Sequence, residues 1–393
     1  MLKELKDGAP SGVKYCCLLL LMAFGCPESL FAQDPIPIED TLKVVTGNRN
    51  QLVALPVIFY TPETELAFGV TGMYLFVPRG NGPEARPSFI QFVGYYSLNN
   101  QFAINAPYEL RFQDSKHVVK GSVDFFRRIR RFWGIGPYTP QAGDENYSSN
   151  YIRIRGDYLT RITPMFRSGL VLRYHEFFDV EPAEPDGQLA SGDILGSEGG
   201  RSVGLGVIFN YDRRDNSFAP TTGPYLETSM VLFHPWMGSD FRFLRWEFDG
   251  RHYIQTFGRQ VFAFQGRGIA TLGDAPFENI ALLGHQTINR GYFEGRFRDQ
   301  MMGAIQAEYR IPLFRGDVTG RLPIGRRFGI NFFGALANVS REIRTFTIDE
   351  IKYSFGSGIR FLLNQQENVT LRLDFAWGRP GNSGIYFMVG EAF

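Results

Sequence analysis

From about residue 53 to the carboxyl end, the chain runs through short segments in which apolar and polar residues take turns. In 304–311, Gln306, Glu308 and Arg310 share one side with Ala304, while Ile305, Ala307, Tyr309 and Ile311 take the other. In 243–255, Arg245, Glu247, Asp249 and Arg251 oppose Leu244, Trp246, Phe248 and Ile254. Arg153, Arg155, Asp157 and Arg161 alternate with Ile152, Ile154 and Tyr158, and Arg167, Arg173 and His175 with Phe166, Leu170, Leu172 and Tyr174. A period of two belongs to a β-strand with two unlike faces. Gly, Pro, Asn and Asp separate the segments, where turns need them. No long helical period occurs.

A soluble β-sandwich also alternates, so length and number of segments matter more. The pattern predicts sixteen strands, at 53–60, 65–77, 88–98, 101–113, 116–128, 148–161, 165–178, 200–211, 223–234, 241–255, 259–273, 301–312, 327–339, 352–363, 368–378 and 384–393. Strands of about 9 to 11 residues cross a bilayer when tilted, and closure into a barrel leaves no unpaired edge in lipid. An even count puts both ends on the same side. With the amino end in the periplasm, the long links 129–147, 179–199 and 274–300 face outward, while 114–115, 162–164 and 364–367 are short inward turns. Long outer loops over short inner turns are usual in such barrels. The inward links 78–87, 212–222 and 313–326 are longer exceptions. The expected fold is all-β, a transmembrane antiparallel β-barrel of 16 strands over 52–393, with the loop 274–300 folded inward.

Composition agrees with strands over helices: 37 Phe, 18 Tyr and 4 Trp suit a pleated surface, and 44 Gly weaken helices. A mean hydropathy of −0.16 is too polar for a helical membrane protein but fits alternate lipid-facing and wet residues. With 41 basic and 40 acidic residues there is no electrostatic footprint for nucleic acid. Residues 1–32 read as an export signal: Lys3, Lys6 and Lys14 precede the apolar run Cys16 to Gly25, and Ala32 offers a cleavage point before Gln33. That run is too short for a membrane helix. Residues 33–51 read as a short periplasmic leader. All three cysteines, Cys16, Cys17 and Cys26, fall in the signal, so the mature chain closes its structure without disulfides.

Three stretches carry a family resemblance. The last segment alternates so that Ile385, Phe387, Val389 and the final Phe393 share the lipid face, with Gly390 between. It resembles the terminal strand by which bacterial outer-membrane barrels are recognised for insertion. Residues 211–223, YDRRDNSFAPTTG, resemble an inner turn of the BamA/TamA outer-membrane assembly family, also called the bacterial surface antigen family. Arg290, Gly291 and Tyr292, after the eleventh strand, resemble the RG[FY] tip of that family's sixth outer loop, with Asn289 where Val or Ile is usual. The resemblance spans about residues 50 to 393. It implies that the loop folds into the lumen and that Arg290 meets an acidic group there. A guanidinium in a lumen needs a carboxylate, and Asp374 is the first candidate because alternation turns it inward with Arg372. Asp349 and Glu350 are the rivals. The family's periplasmic POTRA domains are not expected here, since few residues separate the cleavage point from the first strand. The resemblance therefore implies a barrel-only member.

No catalytic motif is present: there is no G-x-S-x-G, H-E-x-x-H or P-loop, and the five histidines lack metal-ligand spacing. The expectation is a bacterial outer-membrane protein, not an enzyme, without metal or cofactor. It would assist insertion or translocation of proteins or lipids, with outer-membrane lipid, client outer-membrane proteins or periplasmic factors as partners. The alternative is a passive channel or plugged structural barrel. Amino-terminal sequencing of membrane-extracted protein should begin near Gln33; an intact Met1 in correctly localised protein would reject the export signal.

Overall fold

Each alternating segment forms a strand, and every strand pairs antiparallel with its neighbour in the sheet. The computed structural model describes residues 50–61, 65–82, 85–313, 327–365 and 368–393. The expected export signal and most of the leader lie outside the described residues. The strands are β1 (Gln51–Thr61), β2 (Glu65–Phe76), β3 (Ser88–Ser97), β4 (Phe102–Phe112), β5 (His117–Phe132), β6 (Glu145–Arg161), β7 (Phe166–Pro182), β8 (Gly200–Asp212) and β9 (Gly223–Phe233). They continue as β10 (Arg242–Gln255), β11 (Val261–Asp274), β12 (Ala281–Leu283), β13 (Phe297–Asp299), β14 (Met301–Pro312), β15 (Phe328–Ser340), β16 (Lys352–Asn364), β17 (Val369–Trp377) and β18 (Ser383–Val389). Sixteen of them form one meander in chain order, while β12 and β13 make a separate hairpin inside the link from β11 to β14.

The two faces of the sheet separate as the alternation requires. Leu170, Leu205, Trp246, Ile305, Phe332 and Phe355 are exposed on the outer face, whereas Asp124, Asp157, Gln265, Glu308 and Asp374 are buried on the inner one. Apolar residues outward and polar residues inward invert the order of a soluble core, as a barrel in lipid demands. A large aromatic cluster fills one end of the interior, with Phe126, Phe132, Tyr147, Tyr151, Phe177 and Phe243 gathered around Phe277. It is carried by strands longer than sequence alternation predicted, since β6 and β7 reach 17 residues each. At about 3.3 Å per residue and a tilt near 45°, such strands rise about 40 Å, more than the roughly 30 Å hydrocarbon layer. Strands of this length are long enough to carry their tips clear of a bilayer.

The sheet curls until its two ends meet. Met73 and Leu75 of β2 pack against Val369 of β17, with Phe89, Phe218 and Val389 beside them. Val53 and Leu55 of β1 face Leu363, Val369 and Val389 across a pocket. Among the described residues no backbone ladder joins β1 to β18. The seam is held by side chains.

The final strand corrects one expectation. Alternation predicted a strand to residue 393 with Phe393 toward lipid, but β18 ends at Val389. Gly390 takes φ +92°, which turns the chain, and its N–H donates to the Thr370 carbonyl at 2.7 Å. A left-handed residue breaks the two-residue period, because alternation holds only while the backbone stays extended. Phe393 is buried against Tyr253, Val261 and Ala263 instead. Ile385 and Phe387, still within the strand, remain exposed on the outer face.

Gly169 shows how tightly the strands approach. A Cβ there would lie 1.7 Å from the Tyr158 carbonyl oxygen and 2.8 Å from Leu159 Cα. Gly169→Val should force β6 and β7 apart at a cost of about 1–3 kcal/mol, lowering the temperature at which the barrel loses its compact gel mobility. Gly266→Ala, whose Cβ meets nothing within 4 Å, should leave that temperature nearly unchanged.

Candidate functional site in the lumen

The link between β11 and β14 enters the barrel. It is anchored along its length: Phe277 N–H donates to the Leu195 carbonyl at 3.0 Å, and Arg245 Nη1 donates to the Asn279 carbonyl at 2.6 Å. Glu278 accepts from Arg130 Nη1 at 2.9 Å and from the Tyr147 hydroxyl. Arg296 reaches Thr139 Oγ1 at 2.9 Å, and the Arg298 carbonyl accepts from Gly136 N–H at 2.8 Å.

At the tip the backbone reverses through Asn289 at φ +48° and Gly291 at φ +106°. A Cβ on Gly291 would sit 3.0 Å from Gly378 N and from the Trp377 carbonyl carbon, so both conformation and contact call for glycine. Gly291 N–H donates to the Tyr386 hydroxyl at 2.8 Å. The Tyr292 ring lies over Gly378; its hydroxyl donates to the Tyr353 carbonyl and accepts from Arg379 N–H, both at 2.9 Å. The tip is thereby pinned to β16 and to the turn between β17 and β18.

Between these anchors Arg290 has a fully buried side chain and bridges two fully buried carboxylates. Nη1 meets Asp374 Oδ2 at 2.5 Å and Nη2 meets Glu308 Oε2 at 2.6 Å. Its guanidinium carbon lies 3.4 Å from the Phe333 ring centroid, a cation–π contact in a desolvated place. Arg360 joins the same carboxylates, Asp374 Oδ1 at 2.6 Å and Glu308 Oε1 at 3.1 Å. Arg372 donates to Asp374 Oδ2 at 3.0 Å and to the Gln286 carbonyl at 2.9 Å. Glu391 accepts from Arg360 Nε at 2.9 Å, and Arg310 links Glu308 at 3.0 Å to the Phe393 backbone oxygen at 2.8 Å. The tail beyond Gly390 thus belongs to the same network as the loop tip.

Among the sequence candidates, Arg290, Gly291, Tyr292 and Asp374 come together. Asp349 does not join them: it is exposed in the link between β15 and β16. Glu350 pairs with Arg379 at 3.4 Å and Lys352 at 3.7 Å, not with Arg290. Glu308 is the partner that sequence reasoning passed over. Alternation already turned it inward, and its place on the strand following the loop was the available signal. Ile385, Phe387 and Val389 keep their places on β18, while Phe393 lies inside. Among the described residues, no group of three or more His, Cys, Asp or Glu could hold a metal.

The 211–223 stretch closes the opposite end. Asp215 accepts from the Thr221 N–H at 2.9 Å, the Thr221 hydroxyl at 2.5 Å and the Thr222 N–H at 3.1 Å, while Asn216 Oδ1 accepts from Phe218 and Ala219 N–H. Burial alone would raise the Asp215 carboxyl, but the hydrogen bonds from Thr221 and Thr222 outweigh it and hold the group below its usual range. Gly223, at φ +97°, completes the turn; a Cβ there would lie 2.2 Å from the Arg213 carbonyl oxygen.

The model of the Omp85 superfamily domain matches residues 88–393, which takes in β3 to β18, the loop arginine and both its carboxylates. The chain belongs to the Omp85 superfamily. It is an outer-membrane-type β-barrel of that superfamily, and solved Omp85-type structures share its fold. BamA from Haemophilus ducreyi lacking POTRA domains 1–3 aligns with a TM-score of 0.54 at 14% identity, over 87% of this chain and 69% of that one. CdiB from Escherichia coli aligns at 0.54 and 12% identity, over 86% and 61%. CdiB from Acinetobacter baumannii gives 0.53 and 12%, over 86% and 59%. The chain therefore spans about three fifths of the CdiB proteins. No curated protein sequence is detectably similar to it.

Removing one partner of a buried ion pair costs about 3–5 kcal/mol, because the other charge is left uncompensated. Arg290→Ala should release the loop, read as new protease cleavage between residues 284 and 300. Asp374→Ala and Glu308→Ala should each do so, and Arg290→Ala combined with Asp374→Ala should be little worse than Arg290→Ala alone. Arg290→Lys should not rescue, since one ammonium cannot fork between two carboxylates. A protease-resistant Arg290→Lys barrel would reject the bridging role.

Proposed function

We propose that this Omp85 barrel resides in a bacterial outer membrane and assists insertion or translocation of proteins, or of lipids, there. The observation carrying this reading is the seam, where β1 and β18 each present an edge without a ladder to the other. An unpaired edge offers backbone donors and acceptors on which an incoming strand can template. The apolar pocket at the seam, lined by Val53, Leu55, Val369 and Val389, holds the edges together without the cost of breaking hydrogen bonds. Exposed Leu170, Ile305 and Phe332 on the outer face support outer-membrane lipid as the surrounding partner; client outer-membrane proteins or periplasmic factors are the further partners this reading implies.

A passive channel or plugged structural barrel is the second reading, favoured by the loop that fills the lumen beside β14 to β18. One experiment separates them. The full chain is reconstituted in phospholipid vesicles, and an unfolded client barrel is added. Client folding should be several-fold faster than in empty vesicles, and a disulfide engineered between β1 and β18 should abolish the gain while leaving the protein's own barrel intact. An unchanged client rate would reject the assembly reading and leave the plugged barrel standing.

A further inference from the structure

The lumen has two unlike halves. Beside β14 to β18 the charged groups are dry: the side chains of Arg290, Glu308, Arg310, Arg360, Arg372 and Asp374 are each no more than 9% exposed. Beside β5 to β11 several inward groups are wet, with Arg155 at 47%, Glu247 at 39% and Arg153 at 34%. A residue that points into a barrel and is still this exposed borders open space.

That space is short of carboxylates for its guanidiniums. Arg153 and Arg155 share one acid, Asp124, at 2.9 and 3.9 Å, and the Arg155 Nε donates instead to Ser122 Oγ at 3.0 Å. Arg155 also faces Arg153 and Arg173 as like-charged neighbours. Arg173 is taken by Asp157 at 2.5 Å, and Glu247 is taken by Arg245 at 2.6 Å. Arg267, inward on β11, has no ion pair or hydrogen bond among the described residues; it neighbours Glu247, His285 and Asp249 across the strand pair, and Asp249 is taken by Arg251 at 2.6 Å. Arg128 has no ion pair there either; its guanidinium lies over the Phe126 ring, 4.4 Å from the centroid, and its buried Nε is unpartnered. From the loop, Glu294 faces Arg128 and Arg153 but pairs with Arg130 at 3.5 Å.

We propose that this chamber is an oxyanion-binding site that takes a phosphate group. Guanidiniums gathered in a partly desolvated space repel one another, and a mobile anion relieves the repulsion. Their planar forks match the paired oxygens of a phosphate, which a spherical halide cannot offer. Arg153 and Arg155 on β6 and Arg267 across the lumen supply forks from two sides. The site is independent of the seam and of the Arg290 network, so it stands whether or not the barrel assists insertion.

The test uses the detergent-solubilised full chain and phenylglyoxal, which modifies accessible guanidiniums, with sites read by mass spectrometry. Arg153, Arg155 and Arg267 should react in chloride and be protected several-fold by inorganic phosphate at equal ionic strength. Arg201, exposed in the β7 to β8 region and outside the chamber, should react alike in both salts. In the Arg155→Gln, Arg267→Gln double variant, phosphate should no longer protect Arg153. A second arm replaces free phosphate with micelles doped with phosphatidic acid: protection there alone makes the ligand a lipid headgroup, and protection by free phosphate alone makes it a soluble one. Equal labelling in chloride, in phosphate and in doped micelles would overturn the proposal, as would failure of Arg153 and Arg155 to react at all.

Discussion

A fully buried guanidinium is the constraint around which the lumen is organised. Stripping Arg290 of water costs several kcal/mol, and only well-aimed carboxylates return it. Asp374 comes from β17 and Glu308 from β14, so satisfying one arginine on a loop fixes the loop against two non-adjacent strands. Two carboxylates that close would repel each other if Arg290 alone stood between them. Arg360 pairs with both carboxylates and Arg372 with Asp374, and this further positive charge offsets the repulsion. Each member needs the others, so the group behaves as a unit and the loop has one seat. With its tip seated, Phe277 stands among the aromatic side chains that fill one end of the barrel.

The same network reaches the seam. Arg360 holds Glu391, and Arg310 holds the Phe393 backbone oxygen. The residues that alternation assigned to the end of β18 are instead drawn into the lumen after Gly390, leaving β18 with seven residues against eleven in β1. A short strand offers few backbone partners to its neighbour across a closing edge. The lumenal charges therefore bear on the edge that faces lipid, and Arg372 and Asp374 of β17 stand in register with Met388 and Tyr386 of β18. Loop, inner wall and tail form one connected body, and the weakness of the seam is in part a consequence of where the tail is held.

Much of this was legible in the pattern of the chain, because a barrel obeys a period of two everywhere that its backbone is extended. The predicted segment 301–312 coincides with β14, and 200–211 and 223–234 fall within a residue of β8 and β9. The inward set 245, 247, 249 and 251 was readable from alternation alone. Where the backbone leaves the extended region the reading failed, and Phe393 shows why: one residue at positive φ inverts everything after it, and no polar or apolar pattern records a dihedral angle. The longer β6 and β7 escaped for another reason. Above the bilayer there is no lipid to enforce an apolar outer face, so Asn146, Ser148 and Asn150 there resemble a loop.

The candidate site was half legible on the same grounds. Glycine between an arginine and a tyrosine marks a reversal at a loop tip, and an inward aspartate marks a partner. Alternation ranks every inward acid alike, though, and only its place on the strand after the loop set Glu308 apart from Asp124 or Asp249; the curl of the sheet then brings β14 and β17 around that loop. Register and curvature decide which charges meet, and therefore which are left over. Arg290 and Arg267 are both inward-facing arginines by pattern, yet one is paired with two carboxylates, while the other neighbours Glu247 and Asp249 and is paired with neither among the described residues. The difference lies in the half of the lumen that each faces: the loop and tail fill one half and dry it, and the other stays open to water and to whatever anion the unpaired guanidiniums attract.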